Sequence, residues 1–300
     1  MATTAPGANI AFLPWVRQGA AAAITTVDTL GPNLRAAAQL TAAITLNDAP
    51  ALSLPLRLRG PADVVGIDPN EIVRRDPKPG TSSFEPNYFP CIEFDRPDLP
   101  WLFSPARADT QSRLRPWLCL VVVRQQAGVA LRPAADGPLP MLEIAAPARP
   151  ADELPDLVDC WAWAHAQAAS GGATPADVKG ALSGAPELAL SRLLCPRILA
   201  PGTDYIACVV PTFDIGRKAG LGLPIAESEL TAASGLATAW SFTPTAPATV
   251  TLPVYHQWSF RTGVGGDFES LVRLLHAQPV PAGLGTRPMD ISQPAVWLEP

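Results

Sequence analysis

The segment LRPWLCLVVVR, residues 114–124, constrains the fold more than any other part of the sequence. Every side chain from Leu118 to Val123 is apolar, and three of them are consecutive valines. A short apolar run that is rich in β-branched residues and has no polar face is typical of a buried strand. We therefore expect the core of the protein to form around a strand at this position.

The first half of the chain is rich in further strand and turn signals. Leu52, Leu54, Leu56 and Leu58 alternate with polar residues and Pro55, which predicts a half-buried edge strand. Residues 64–67 predict a short strand between turns. Residues 131–144 predict two short strands joined by a loop at 134–137.

The second half shows helix and strand signals in alternation. Residues 148–169 have acids near their start and no glycine, which predicts a helix. Thr174 as N-cap and Pro175 predict another helical zone, split into two helices at Gly184 and Pro186. The remaining predicted elements are a buried strand at 204–214, a glycine-rich loop at 216–223, a long strand at 248–263 and an amphipathic helix at 267–277.

These signals predict an α+β fold with Pro-rich straps in its strand-rich first half and mixed helix and strand in its second half. The change of character near residue 150 predicts a β-rich subdomain at 1–150 and a mixed subdomain at 151–300, which share an extensive interface. The whole chain is 300 residues long, which is enough for one large core or two ordinary ones.

The charge pattern limits the partners of the protein. Only 16% of the residues are charged, the net charge is -5, and no basic stripe is present. Nucleic acid is excluded as the main partner because phosphate neutralisation needs clustered lysine and arginine. The low charge fits a surface that is covered by other subunits, although a codon bias toward alanine and proline explains it equally well.

The five cysteines are widely spaced and form no CxxC pair, so we expect buried thiols in a reducing compartment. The three histidines do not neighbour a cysteine at ligand spacing, and we predict neither a metal nor a cofactor. The N-terminus lacks the pattern of a signal peptide, and the longest apolar run is far shorter than the roughly 20 residues that span a bilayer. These observations predict a cytoplasmic product without a membrane span.

Residues 81–107, which we call the strap, combine aromatic side chains, acids and regularly spaced prolines. Each proline restricts the preceding residue to extended backbone, so the segment loses little freedom when it lies across a surface. We predict that it is a packing or interface strap with a short strand at 91–94 and mostly buried aromatic side chains. The candidate contact residues are Phe84, Tyr88, Phe89, Glu93, Asp95, Arg96, Trp101 and Phe103.

The sequence offers candidates for three kinds of chemistry, and each has a structural alternative. Four acids, Glu85, Glu93, Asp95 and Asp98, lie among aromatic residues, as carboxylates do in sugar-binding clefts, but turn capping or ion pairs with arginine are the favoured interpretation. A nucleophilic cysteine beside His256 is a weaker hypothesis. Anion binding at Arg217 and Lys218, or at Gly265 and Gly266, is also weak, because neither loop matches a phosphate-binding motif.

Five segments together carry a family resemblance. They are FLPWVRQG, the stretch from GPADVVGID to DLPWLFSPA, LRPWLCLVVV, YIACVVPTFDIGRKAGLG and LPVYHQWSFRTGVGGDFESLVRLL. They resemble a family of proteins, often longer than this chain, encoded beside phage-tail-like contractile injection systems. The resemblance covers residues 11–275 and implies a structural subunit of the baseplate, or of a shell or cage near it, without catalytic residues. It implies other copies of the chain and other tail proteins as partners, in a particle that is either released or membrane-anchored.

Three functions remain open at the level of sequence. The first is a structural subunit of such a particle. The second is a hydrolase of a cell-envelope glycan that uses carboxylates between Glu93 and Asp98. The third is a module that binds carbohydrate or a target surface through Tyr88, Phe89, Trp101 and Phe103.

Overall fold

The computed structural model of this protein describes most of the chain between residues 59 and 264 and shorter pieces outside it. The described residues are 9–13, 39–44, 52–57, 59–106, 108–111, 113–133, 137–170, 174–184, 186–226, 229, 236–243, 245–264, 272–276, 279 and 283–286. The chain divides into one unit spanning Met1–Gly265 and a second spanning Gly266–Pro300.

Within the described residues, thirteen strands form four antiparallel sheets. The strands are β1 Asn9–Leu13, β2 Gln39–Ile44, β3 Leu52–Arg57, β4 Ile72–Asp76, β5 Cys91–Phe94, β6 Leu118–Arg124, β7 Val129–Arg132, β8 Met141–Ile144, β9 Ala164–Ser170, β10 Ala189–Leu194, β11 Asp204–Pro211, β12 Val250–Pro253 and β13 His256–Arg261. The α-helices are α1 Leu99–Leu102, α2 Pro150–Glu153, α3 Pro175–Gly184 and α4 Asp214–Gly220. The predicted α+β class is confirmed, with strands predominating.

Three of the sheets are stacked, and the sheet β13-β11-β6 lies in the middle. One face of this central sheet contributes Leu120 and Val209 to a core that also contains Ile92 and Leu193 of the sheet β1-β9-β10-β5-β4. Its other face packs in a second core against the sheet β12-β8-β7. The strand β6, at one edge of this central sheet, is therefore buried on both faces, which explains why its sequence is apolar without alternation.

The sheets join strands from both sides of residue 150. β9 and β10 pair with β1 and β5, and β11 pairs with β6. The division of the chain into units falls between Gly265 and Gly266 instead of near residue 150. The core of the larger unit is thus assembled from both halves of the sequence.

The predicted helix at 148–169 is wrong. The segment forms α2, a 3-10 turn at Leu157–Ala162 and the strand β9. Pro155 interrupts the helical pattern because its ring and its missing N–H are incompatible with a helix interior. In β9, residues Ala164, Ala166 and Ala168 face the core while alternate residues are half-buried, so pairing with two strands overrides the helix propensity of alanine.

Other predicted elements are also corrected. The second predicted helix after Gly184 is a 3-10 turn at Pro186–Leu188 followed by β10, and residues 216–223 begin inside α4 instead of forming a loop. Residues 64–67 are irregular, and the nearby strand is β4. The long strand predicted at 248–263 is divided into β12 and β13.

Several predicted elements are confirmed. The strands β3, β5, β6 and β11 form where expected, and β8 forms within 131–144. β7 begins at Val129, two residues before the predicted range, and residues 134–136 of the loop lie outside the described residues. The helix α3 begins as predicted, with the Thr174 hydroxyl accepting a hydrogen bond from the Asp177 backbone N–H at 3.2 Å. The helix predicted at 267–277 falls largely outside the described residues.

Candidate interaction surface

The start of the strap is tied to the central sheet by backbone hydrogen bonds. The Gly80 N–H donates to the Ser259 carbonyl at 2.8 Å, and the Arg261 N–H donates to the Thr81 carbonyl at 2.7 Å. The Phe84 N–H then donates to the Arg261 carbonyl at 3.0 Å. These bonds align the residues before Phe84 with β13.

The rest of the strap crosses to the outer sheet and returns. Residues Cys91–Phe94 form β5, which lies between β10 and β4. The helix α1 then places the Leu99 and Pro100 carbonyls against Trp117, whose indole and backbone N–H groups donate to them at 2.6 and 2.8 Å. The strap therefore links two sheets of the larger unit.

The aromatic side chains of the strap divide into buried anchors and an exposed pair. Phe84 packs edge-on against Phe260, Trp101 is buried, and Phe103 is half-buried against Trp117 at 5.1 Å between ring centroids. Tyr88 and Phe89 are 64% and 54% exposed. The expectation of mostly buried aromatic side chains thus fails at these two adjacent residues.

Two of the four acidic strap residues form ion pairs with arginine. Glu93 is buried and accepts a hydrogen bond from Arg192 Nε at 3.0 Å. Arg96 donates from Nε to Asp98 at 3.0 Å and from Nη2 at 3.1 Å. Asp95 is exposed, and its backbone N–H donates to the Glu71 carbonyl at 2.8 Å. The ion pairs account for Glu93 and Asp98 without a catalytic role.

The outer face of the five-stranded sheet is the face turned away from the central sheet, and it carries both charged and apolar side chains. Arg192 is directly opposite Glu93 on one side and His165 on the other. On the edge strand β1, Ile10 and Phe12 are 65% and 50% exposed, and the Phe12 ring lies 4.9 Å from that of His165. This face is a second place where large apolar side chains meet solvent.

The two described strand histidines are held away from a catalytic arrangement. Burial lowers the pKa of His165, whose Nε2 lies 2.9 Å from the Ala162 carbonyl oxygen. Burial and then the Arg75 charge lower the pKa of His256. His256 is opposite Val209, which faces the first core, whereas the neighbouring Cys208 faces the second. Cys208 and His256 are therefore not placed as a nucleophile and its base.

The predicted anion-binding residues are paired with acids where they are described. Arg217 Nε donates to Asp214 at 2.7 Å, and Lys218 is ion-paired with Glu229. Gly265 and Gly266 lie outside the described residues. Among the described residues, no group of His, Cys, Asp and Glu side chains is placed to hold a metal ion, and no described helix has the length and apolarity to cross a membrane.

The five cysteines are free thiols, and four of them are buried. Burial raises the pKa of Cys195 to about 11 and that of Cys160 to about 12, and it raises the pKa values of Cys119 and Cys208 as well. Burial followed by the Asp76 charge raises the pKa of Cys91 to about 11. At neutral pH these thiols stay protonated and are weak nucleophiles.

These shifts predict how stability depends on pH. The thiols ionise near pH 9.0 when unfolded but not when folded, so their contribution is lost as pH rises above 9.0. Each fully buried thiol lowers the free energy of unfolding by about 1.4 kcal/mol per pH unit there. The histidine pKa values are lowered, so stability also falls as pH drops below 6.5.

Urea unfolding at a series of pH values measures this profile. We expect a plateau between pH 6.5 and 9.0 and a steep alkaline decline. In Cys195→Ala we expect the free energy of unfolding to decline less steeply with pH above 9.0, by the contribution of one thiol. This change in slope is independent of any change in absolute stability. If the free energy of unfolding instead rises as the pH increases above 9.0, the result contradicts the assignment of these thiols as buried and protonated in the folded protein.

The most tightly bonded charged cluster was not evident from the sequence. The Glu153 carboxylate is fully buried and accepts hydrogen bonds from the Arg124 backbone N–H at 2.8 Å, Gln126 Nε2 at 2.9 Å and Arg197 Nη1 at 2.7 Å. Arg197 also lies over the Tyr205 ring at 5.7 Å. These residues are distant from one another in sequence. The sequence around Glu153 shows only an acid in a short helix and does not indicate which residues are its hydrogen-bond partners.

Comparison with known proteins adds no further assignment. No protein-family model, no curated protein and no solved structure matches this chain.

Proposed function

We propose that this protein is a structural subunit of a protein assembly, namely a phage-tail-like contractile injection particle, in its baseplate or in a shell or cage near it. The observation that carries the proposal is the exposed pair Tyr88 and Phe89 on an otherwise anchored strap. Aromatic side chains that project from a rigid support are typical centres of protein interfaces, because they bury large area at little entropic cost.

The support beneath this pair is well ordered by hydrogen bonds. The Tyr88 N–H donates to the Glu85 carbonyl at 3.1 Å, which closes a turn, and the Cys195 N–H donates to the Pro90 carbonyl at 2.9 Å. Pro86 and Pro90 flank the pair and restrict the backbone further. Because the backbone of this aromatic pair is already fixed, little conformational entropy is lost when a neighbouring subunit covers it.

The chemistry of the strap favours assembly over hydrolysis. A glycosidase needs one carboxyl group that is free to donate a proton and another that is free to attack or to activate water. Here Glu93 is paired with Arg192, and Asp98 is paired with Arg96. The resemblance to proteins encoded beside contractile injection systems supports the same choice.

The test is the double variant Tyr88→Ser, Phe89→Ser, expressed from the complete gene cluster. Loss of an interface centre costs about 2 kcal/mol or more, roughly thirtyfold in Kd, so we expect particles that lack this subunit or fail to complete. Negative-stain microscopy and the subunit composition of purified particles measure the outcome. The control Ile198→Ser, at an exposed apolar residue outside the strap, leaves particles intact.

Complete particles with normal subunit content from the double variant, or from a gene deletion, contradict the proposal. The second candidate, a module that binds carbohydrate, rests on the same exposed pair, since aromatic rings also stack on sugars. It predicts complete particles from the double variant together with loss of binding to a glycan array.

A further inference from the structure

A cavity of about 210 Å³ lies between the segment that precedes β6 and the 3-10 turn Leu157–Ala162. Two arginines, Arg113 and Arg115, line it together with Leu157, Trp161 and Leu236. Most of its lining residues are apolar; the strap residue Ala106 and the acid Asp109 also line it, whereas the exposed pair Tyr88 and Phe89 does not.

Arg115 is the unusual group in this cavity. Its guanidinium lies over the Phe213 ring at 5.1 Å, and Nη1 donates to the Leu236 carbonyl at 2.8 Å. A guanidinium has five N–H donors, so most of the donors of Arg115 remain available. Among the described residues, no carboxylate forms an ion pair with it, whereas most described arginines have such a partner.

The other charges around the cavity do not neutralise Arg115. Asp109 is bound by Arg113, with 2.7 Å between Arg113 Nη2 and the carboxylate, and the Arg113 guanidinium lies 4.9 Å from the centre of the Trp161 ring. The Cys160 thiol is protonated at neutral pH because burial raises its pKa to about 12. Burial lowers the pKa of Arg115, which reflects the cost of keeping this cation out of water.

We propose that this cavity binds the carboxylate of a small monocarboxylate with a short aliphatic or single-ring body. The planar guanidinium of Arg115 matches a carboxylate in geometry and can donate two parallel hydrogen bonds to it. Leu157, Trp161 and Leu236 supply apolar contacts for the body of the ligand. The same group at the end of a glutamate side chain of a partner protein fits the same chemistry, and the experiment separates the two sources.

Binding is measured by NMR titration of the full chain with benzoate, propionate and a capped Gly-Glu-Gly peptide, following arginine Nε–H and tryptophan indole signals. Benzamide has the shape of benzoate without its charge and is the matched ligand control. We expect saturable shifts with benzoate or propionate and none with benzamide. Saturation by the peptide alone would assign the carboxylate to a protein partner.

The variant Arg115→Gln is expected to weaken binding at least about tenfold, because a charge-assisted bidentate pair is lost. Arg115→Met keeps an apolar side chain over Phe213, and it replaces Arg115→Gln as the test variant if the glutamine variant does not fold. Arg149→Gln, at an exposed arginine paired with Asp152, leaves binding unchanged. Equal binding of benzoate and benzamide, unchanged affinity in Arg115→Gln, or no saturable shift with any of the three carboxylates overturns the proposal.

Discussion

Replacement of Glu153 by glutamine is expected to lower the free energy of unfolding by about 3–5 kcal/mol, because it leaves Arg197 buried without its counter-charge. The Glu153 side chain is fully buried, and only 14% of the Arg197 side chain is exposed. Arg197 also donates to the Val122 carbonyl at 2.9 Å, so it cannot turn outward without losing a bond to β6. Urea unfolding followed by circular dichroism measures the loss.

The control is Glu143→Gln, which removes a partly exposed ion pair with Arg132 and is expected to cost no more than about 1 kcal/mol. The double variant Glu153→Leu, Arg197→Met removes both charges together. It is expected to recover much of the loss, since apolar replacements of a whole buried pair are often neutral. Equal effects of Glu153→Gln and Glu143→Gln would contradict the role assigned to the cluster.

Replacement of Trp117 by alanine is expected to cost about 3–5 kcal/mol, the range for large aromatic residues in a packed core. Trp117 is fully buried, contacts the rings of Phe103 and Tyr255, and donates its indole N–H to the Leu99 carbonyl. The variant therefore loosens the end of the strap as well as the core. Thermal unfolding and proteolysis near residue 99 measure the two effects separately.

Two further variants sharpen this prediction. Trp117→Phe keeps an aromatic ring but leaves the Leu99 carbonyl without its donor, and it is expected to cost about 1–3 kcal/mol. Phe89→Ala, on the exposed part of the same strap, is expected to stay within about 0.5 kcal/mol of the native protein. If the strap served only to stabilise the fold, Phe89→Ala would instead lower the free energy of unfolding of the protein.

The strands that the sequence predicts best are those whose pattern reflects burial alone. Apart from Arg124 at the end of β6 and Asp204 at the start of β11, these two strands lack charged residues because the central sheet is covered on both faces. The short strand β5 follows from the prolines on each side of it. In each case the local pattern and the tertiary environment require the same conformation.

The segment 148–169 shows where this agreement fails. Alanine is the best helix former and also the smallest side chain that can face a close-packed core, and the sequence does not distinguish these uses. The partners of β9 are β1 and β10, and β1 lies more than a hundred residues earlier in the chain. Local propensity therefore predicts a helix where long-range pairing produces a strand.

The candidate surface was predictable only in part. The prolines and aromatic residues locate the strap, but which rings are buried depends on two packing partners elsewhere in the chain, Phe260 of β13 and Trp117 just before β6. Arg115 gave no signal, because its environment is formed by Leu157, Phe213 and Leu236 from three other segments. Whether Arg115 has a carboxylate partner depends on the residues that surround it in the folded protein and not on its own segment of sequence.

The double coverage of β6 has a consequence for synthesis of the chain. The strand β11 that pairs with β6, and the last residues of both cores that cover its faces, are made only later, as far as Arg261. At about 5–20 residues per second, that interval lasts on the order of ten seconds for each new chain. During it the nascent chain carries a valine-rich apolar strand whose cover is incomplete, so yield of native protein is expected to depend on chaperone supply and to improve at lower growth temperature.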